Sequence, residues 1–128
     1  MAQPPIPEDI RRFVLTSIPS VPHLEALLLL RGLPESGWTV VQLAERLYIG
    51  NKVAAGLLDD LCRAGMAGKI AGAPLFRYQP ASEALRTRID ALADLYARRL
   101  VDVSNLIHAR LERKAQQFAD AFRLRKEN

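Results

Sequence analysis

Only one of the 128 residues is a cysteine, Cys62. No disulfide can close within the chain and no cysteine cluster can hold a metal, so a reducing, intracellular compartment is expected. Histidine is nearly as scarce, with two. His23 and His108 stand far apart, and neither has a second ligand at a spacing such as H-x-x-x-H, so both are read as structural. Long apolar runs are missing too: the densest, Leu24 to Leu30, contains Glu25 and falls short of the roughly 20 residues that cross a bilayer. The opening MAQPPIPEDIRR carries prolines and acids where a secretory signal would carry a basic patch and an apolar stretch. A soluble, cytoplasmic protein with no membrane partner is the expectation.

Charge of one sign is not concentrated anywhere. The 18 Lys and Arg against 14 Asp and Glu give a net +4, a mild balance that permits a nucleic-acid partner without requiring one. A Gly-rich phosphate loop, a nucleophile with base and orienting group, and paired acids with a pocket are all lacking. An enzyme is therefore not expected, nor a cofactor or a metal.

What is present reads as helices around a short hairpin. Residues 1–7, with Pro4, Pro5 and Pro7, form an arm, and Pro7, Glu8 and Asp9 suit the start of a helix that ends before Pro19. Ser20 caps a second helix, apolar almost all round at Leu24, Leu27, Leu28, Leu29 and Leu30 and stopped by Gly32 and Pro34. That helix should be central in the core.

The most specific local signal follows. Thr39 and Gln42 form a T-x-x-Q capping box, flanked by Trp38 and Leu43 at the positions of a hydrophobic staple. They open a helix from Val40 to Leu47. Tyr48, Ile49 and Gly50 turn the chain into another helix from Asn51 to Ala64, which Gly65 stops. Met66 to Ala71 and Leu75 to Tyr78 then alternate as short strands around Gly72-Ala73-Pro74.

After Ser82 the apolar positions Leu85, Ile89, Leu92, Tyr96, Leu100, Val103, Ile107 and Leu111 advance by three or four residues. No Gly or Pro interrupts the chain from Ala81 onward, so one long amphipathic helix is expected, with Ala115, Phe118, Ala119 and Phe122 extending its apolar side. The stripe is either a dimer seam or a helix folded back on its own domain, and its length favours the seam. The seam residues would be Leu85, Ile89, Leu92, Tyr96, Leu100, Val103 and Ile107, with Phe118 and Phe122 beyond.

The stretch TVVQLAERLYIGNKVAAGLLDDLCRAG and the hairpin after it resemble the winged helix-turn-helix transcription regulators of the MarR and PadR kinds, over about sixty residues from Ser20 to Pro80. The resemblance implies a mainly α fold with a β-hairpin wing. It divides the chain into an N-terminal arm and helix (1–19), a winged domain (20–80) and a C-terminal dimerisation segment (81–128). It implies a homodimer on duplex DNA, with Asn51, Lys52, Val53 and Ala55 on the recognition helix. Thr39 and Gln42 would lie at the capped helix, and Lys69 and Arg77 on the wing. Six basic residues against five acidic ones over Ser20 to Pro80, with Asp59 and Asp60 on the reading helix, support an alternative. In it the same fold serves as a protein-interaction adaptor that does not itself bind DNA.

Overall fold

The computed structural model describes residues 4–127, and the side-chain surroundings of residues 4–121. Among these the chain is mainly helical, with helices α1 (Glu8–Ser17), α2 (Val21–Gly32), α3 (Val40–Leu47), α4 (Asn51–Arg63), α5 (Glu83–Arg98) and α6 (Leu100–Glu127). Strands β1 (Ala67–Lys69) and β2 (Phe76–Tyr78) lie between α4 and α5 and form one antiparallel sheet. No single described helix is long and apolar enough to cross a membrane.

α2 sits at the centre because its apolar residues face several neighbours at once. Leu24, Ala26, Leu27 and Leu30 are buried, while Ser20 caps the helix by accepting from the His23 amide. α1 closes one side with Phe13 and Val14, joined by Ile18 just past its end. α3 and α4 close another with Leu43, Ala44, Ala54, Leu57, Leu58 and Leu61. Polar bonds fix the angles between these elements: Arg31 donates to Asp90 at 3.0 Å, joining α2 to α5, and the Tyr96 hydroxyl donates to Glu25 at 2.6 Å.

The local signals form the structures their chemistry dictates. Gln42 N–H donates to Thr39 Oγ1 at 3.1 Å and Thr39 N–H donates to Gln42 Oε1 at 3.0 Å, which is a complete capping box. α4 ends in a Schellman motif. Met66 N–H reaches Leu61 O and Gly65 N–H reaches Cys62 O, each at 3.0 Å, and Gly65 takes the left-handed φ of 76° that this stop needs. Met66 and Leu61, both buried, supply its apolar contact.

The strands are shorter than the alternation suggests, since Ile70 to Leu75 form the turn, with Gly72 at φ 76°. Trp38 adds an edge that the sequence does not announce. Its N–H and carbonyl bond to Phe76 at 2.7 and 2.8 Å, making a one-residue bridge beside β2.

The expected single C-terminal helix is two. The chain breaks at Arg99, with φ −137° and ψ 54°, where the Arg99 amide still donates to Leu95 O and its guanidinium bonds Asp102 at 2.9 Å. Burial is the reason. Leu92, Leu95 and Tyr96 before the break, and Val103 and Ile107 after it, all enter one core. A straight helix would carry the second group past it.

That arrangement corrects the seam assignment. Ile89, Leu92, Tyr96, Val103 and Ile107 are buried inside one chain and Leu85 is half-buried, so the stripe is folded back on its own domain over this range. Leu100 and Phe118 are exposed. Phe122 lies outside the described side chains.

Candidate functional site

The helix pair α3 and α4 presents the residues singled out for recognition. Ala54, Leu57, Leu58 and Leu61 turn inward, which leaves Asn51, Lys52, Val53, Ala55 and Gly56 exposed along the outer face of α4. The first turn holds no acid, and its N-cap, Gly50, makes no side-chain capping bond. The opening amides therefore keep their capacity for an anion or water. A side chain at Gly56 would meet nothing within 4 Å, so close packing is not what makes this position a glycine.

Asp59 and Asp60 are both internally engaged. Asp59 pairs with Arg63 at 2.7 Å one turn along α4, and Asp60 pairs with His23 Nε2 at 2.7 Å across to α2. His23 is held on its other side by Ser20 through Nδ1, so this histidine ties α2 to α4. The structural reading of His23 thus gains a specific content. His108 is exposed, and no group of three metal-binding side chains occurs among the described residues.

Thr39 Oγ1 and Gln42 Oε1 accept in the capping box, leaving the Thr39 hydroxyl hydrogen and Gln42 Nε2 as donors. Lys69 and Arg77 are exposed but not together. With Ala67 opposite Tyr78, Gly68 opposite Arg77 and Lys69 opposite Phe76, alternation along the strands puts Lys69 and Arg77 on opposite faces of the ribbon. Lys69 Nζ lies 5.9 Å from the Phe76 ring centroid, whereas Arg77 Nε donates to Gln79 Oε1 at 3.4 Å.

Sequence reasoning missed Tyr48. It terminates α3 at φ 57° and ψ 46°, the left-handed region, with Ile49 N–H on Ala44 O and its own N–H on Glu45 O. This is the same stop as at Gly65, with an aromatic residue where glycine is favoured. The side chain gains nothing from the core in return, since Tyr48 is 95% exposed. Val53 at 53%, together with Val41, adds exposed apolar surface on the same helix pair. Beside Tyr48 a groove of about 590 Å³ is lined by Leu33, Trp38, Gln42, Glu45 and Arg46 among others. The only advance signal is the missing glycine at a helix stop.

Cys62 is half-buried, and burial first and Asp59 second push its thiol up. That is the opposite of what activates a cysteine. Burial and then Asp90 likewise raise Tyr78. No family model matches the chain, and no curated protein or solved structure matches it significantly.

Proposed function

We propose that the chain is a winged helix-turn-helix protein that binds duplex DNA as a homodimer and regulates transcription. The observation that carries this reading is the outer face of α4. A first turn with Asn51 and Lys52, free of acid and of a side-chain cap, stands exposed after a sharp turn from α3. Asparagine pairs with adenine in bidentate fashion, lysine reaches guanine or phosphate, and Val53 and Ala55 suit thymine methyls. Asp59 and Asp60 lie further along α4, Asp59 paired with Arg63 and Asp60 bonded to His23. Lys69 or Arg77 supplies phosphate contacts from one face of the hairpin or the other. The test is titration of labelled duplex at several salt concentrations. Lys52→Ala should weaken binding and flatten the log–log salt slope by about 1 per copy. A folded, paired protein that binds no duplex at low salt would overturn the reading.

A second reading, a protein-interaction adaptor, is favoured by one observation: the Tyr48 ring, 95% exposed at the end of α3. Tyrosine anchors many protein interfaces. Tyr48→Gly separates stability from binding under either reading. Removing the left-handed side chain should raise stability by about 1 kcal/mol, read by chemical denaturation, while binding to the true partner falls. If duplex binding is unchanged and a nuclease-insensitive protein partner is lost instead, the adaptor reading holds.

A further inference from the structure

The hairpin layer has an unfinished edge at Gly37. Trp38 turns both its N–H and its carbonyl to Phe76, so the peptide groups of its neighbours Gly37 and Thr39 point away from β2. On that side Thr39 is fully used, because its N–H meets Gln42 Oε1 and its carbonyl accepts from Leu43 as α3 begins. Gly37 is not. Among the described residues neither its N–H nor its carbonyl is hydrogen-bonded. An open strand edge is a template for another strand.

That edge opens onto the groove of about 590 Å³, which Gly37 lines together with Leu33, Trp38, Gln42, Glu45, Arg46 and Tyr48. Gln42, the partner of Thr39, stands on its α3 wall, so the free groups of Gly37 turn to the groove side. Leu33 is 56% and Tyr48 95% exposed, which gives the groove apolar surface. Glu45 and Arg46 give it one charge of each sign, and neither enters an ion pair among the described residues. Charges that cancel are a poor setting for a polyanionic backbone. They suit a chain that carries both signs itself.

We propose that this groove takes an extended peptide segment of another protein. One peptide residue pairs antiparallel with Gly37 and exchanges both backbone hydrogen bonds with it. An apolar side chain lies against Leu33 and Tyr48, an acid meets Arg46 and a base meets Glu45. The left-handed backbone of Tyr48, which gains nothing from the core, holds an aromatic surface for the peptide. This gives a chemistry to the partner of the adaptor reading, on which it rests, and duplex binding by α4 is scored separately in the test.

A Cβ at Gly37 would come within 3.0 Å of Leu75, so the backbone pairing is tested from the peptide's side. Random linear heptapeptides displayed on phage are selected on the full chain, and the enriched sequences are titrated as capped synthetic peptides by fluorescence anisotropy. They should carry an apolar residue flanked by an acid and a base. N-methylation scanned along the peptide should weaken binding at least about tenfold at the one position whose N–H meets the Gly37 carbonyl. Arg46→Glu should cost at least about tenfold as well, and selection on that variant should return a base where the parent returns an acid. Because Arg46 is exposed, the melting curve of the variant should match the parent's. Selection that enriches nothing over the bare support, or binding indifferent to N-methylation at every position, would overturn the proposal. So would an Arg46→Glu chain that keeps a Tyr48-dependent protein partner, which spares the adaptor reading. If only labelled duplex responds to Arg46→Glu and Tyr48→Gly, the adaptor reading falls with the groove.

Discussion

Ile107→Asp is expected to abolish cooperative folding or bring the chain close to that point. Ile107 has no exposed surface and carries the start of α6 into the core shared with α1 and α5. Truncating a buried isoleucine costs about 2–5 kcal/mol, and the carboxylate adds the cost of an unpaired buried charge. The sum rivals the roughly 5–15 kcal/mol that holds a typical domain folded. The same change one turn later, Leu111→Asp, should leave the melting temperature of the isolated chain nearly unchanged, because Leu111 lies past the edge of the core. Circular dichroism melts of the two variants check the contrast. Equal loss of stability in both would mean that the domain extends further along α6 than the burial of Ile107 indicates.

Alkaline pH is the second strong perturbation. The Tyr96 hydroxyl is pushed up to about 12 by burial first and then by the Glu25 carboxylate that it donates to. Cys62 and Tyr78 are also raised, from ordinary values of 9.0 and 10.0, chiefly by burial. All three groups lose their charge when protonated, so the fold favours the protonated form and the unfolded chain releases the proton first. The stability they supply is complete below about pH 9 and declines as the pH climbs through the unfolded values toward 12. Tyr96 alone accounts for on the order of 1–2 kcal/mol between pH 10 and 12, after allowance for solvent screening. Urea titrations at pH 8 and pH 11 should show the decline, and Tyr96→Phe should flatten it. A parent chain equally stable at both values would mean that Tyr96 ionises freely in the fold.

The elements that could be read from residues alone are those set by local chemistry. Thr39, Gln42, Ser20, Ser82 and Gly65 sit where their side chains, or the lack of one, satisfy helix ends, and each end shows within four or five residues. What covers an apolar stripe is not local. Spacing identifies which side of Leu85 to Phe118 is apolar, yet Ile89 and Ile107 meet their own core while Phe118 meets none of it. The break at Arg99 has no Gly or Pro to announce it because its cause is tertiary: Tyr96 and Val103 must both reach the same interior.

The candidate site divides in the same way. That Asn51 and Lys52 would face outward follows from Leu57 and Leu58 facing in, whereas spacing alone does not choose between Val53 and Ala54 for the buried position, which Ala54 takes. The split of Lys69 and Arg77 across the ribbon depends on a register that only the Ile70 to Leu75 turn defines. The pairings of Asp59 and Asp60 depend on distances to Arg63 and His23, the second of them reached only through the packing of α2 on α4. Residue type does not announce Tyr48, since tyrosine is intermediate between buried and exposed.

The break at Arg99 also makes α6 a lever. Its short arm, Leu100 to Ile107, is clamped by Val103 and Ile107 in the core, and its long arm runs from Leu111 to Glu127, about 25 Å of helix. A tilt of ~10° at the clamp swings the far end by about 4 Å. Small changes of side-chain size around Val103, Arg99 and Asp102 would thus alter the spacing of anything the long arm joins, without touching the arm or the surface of α4.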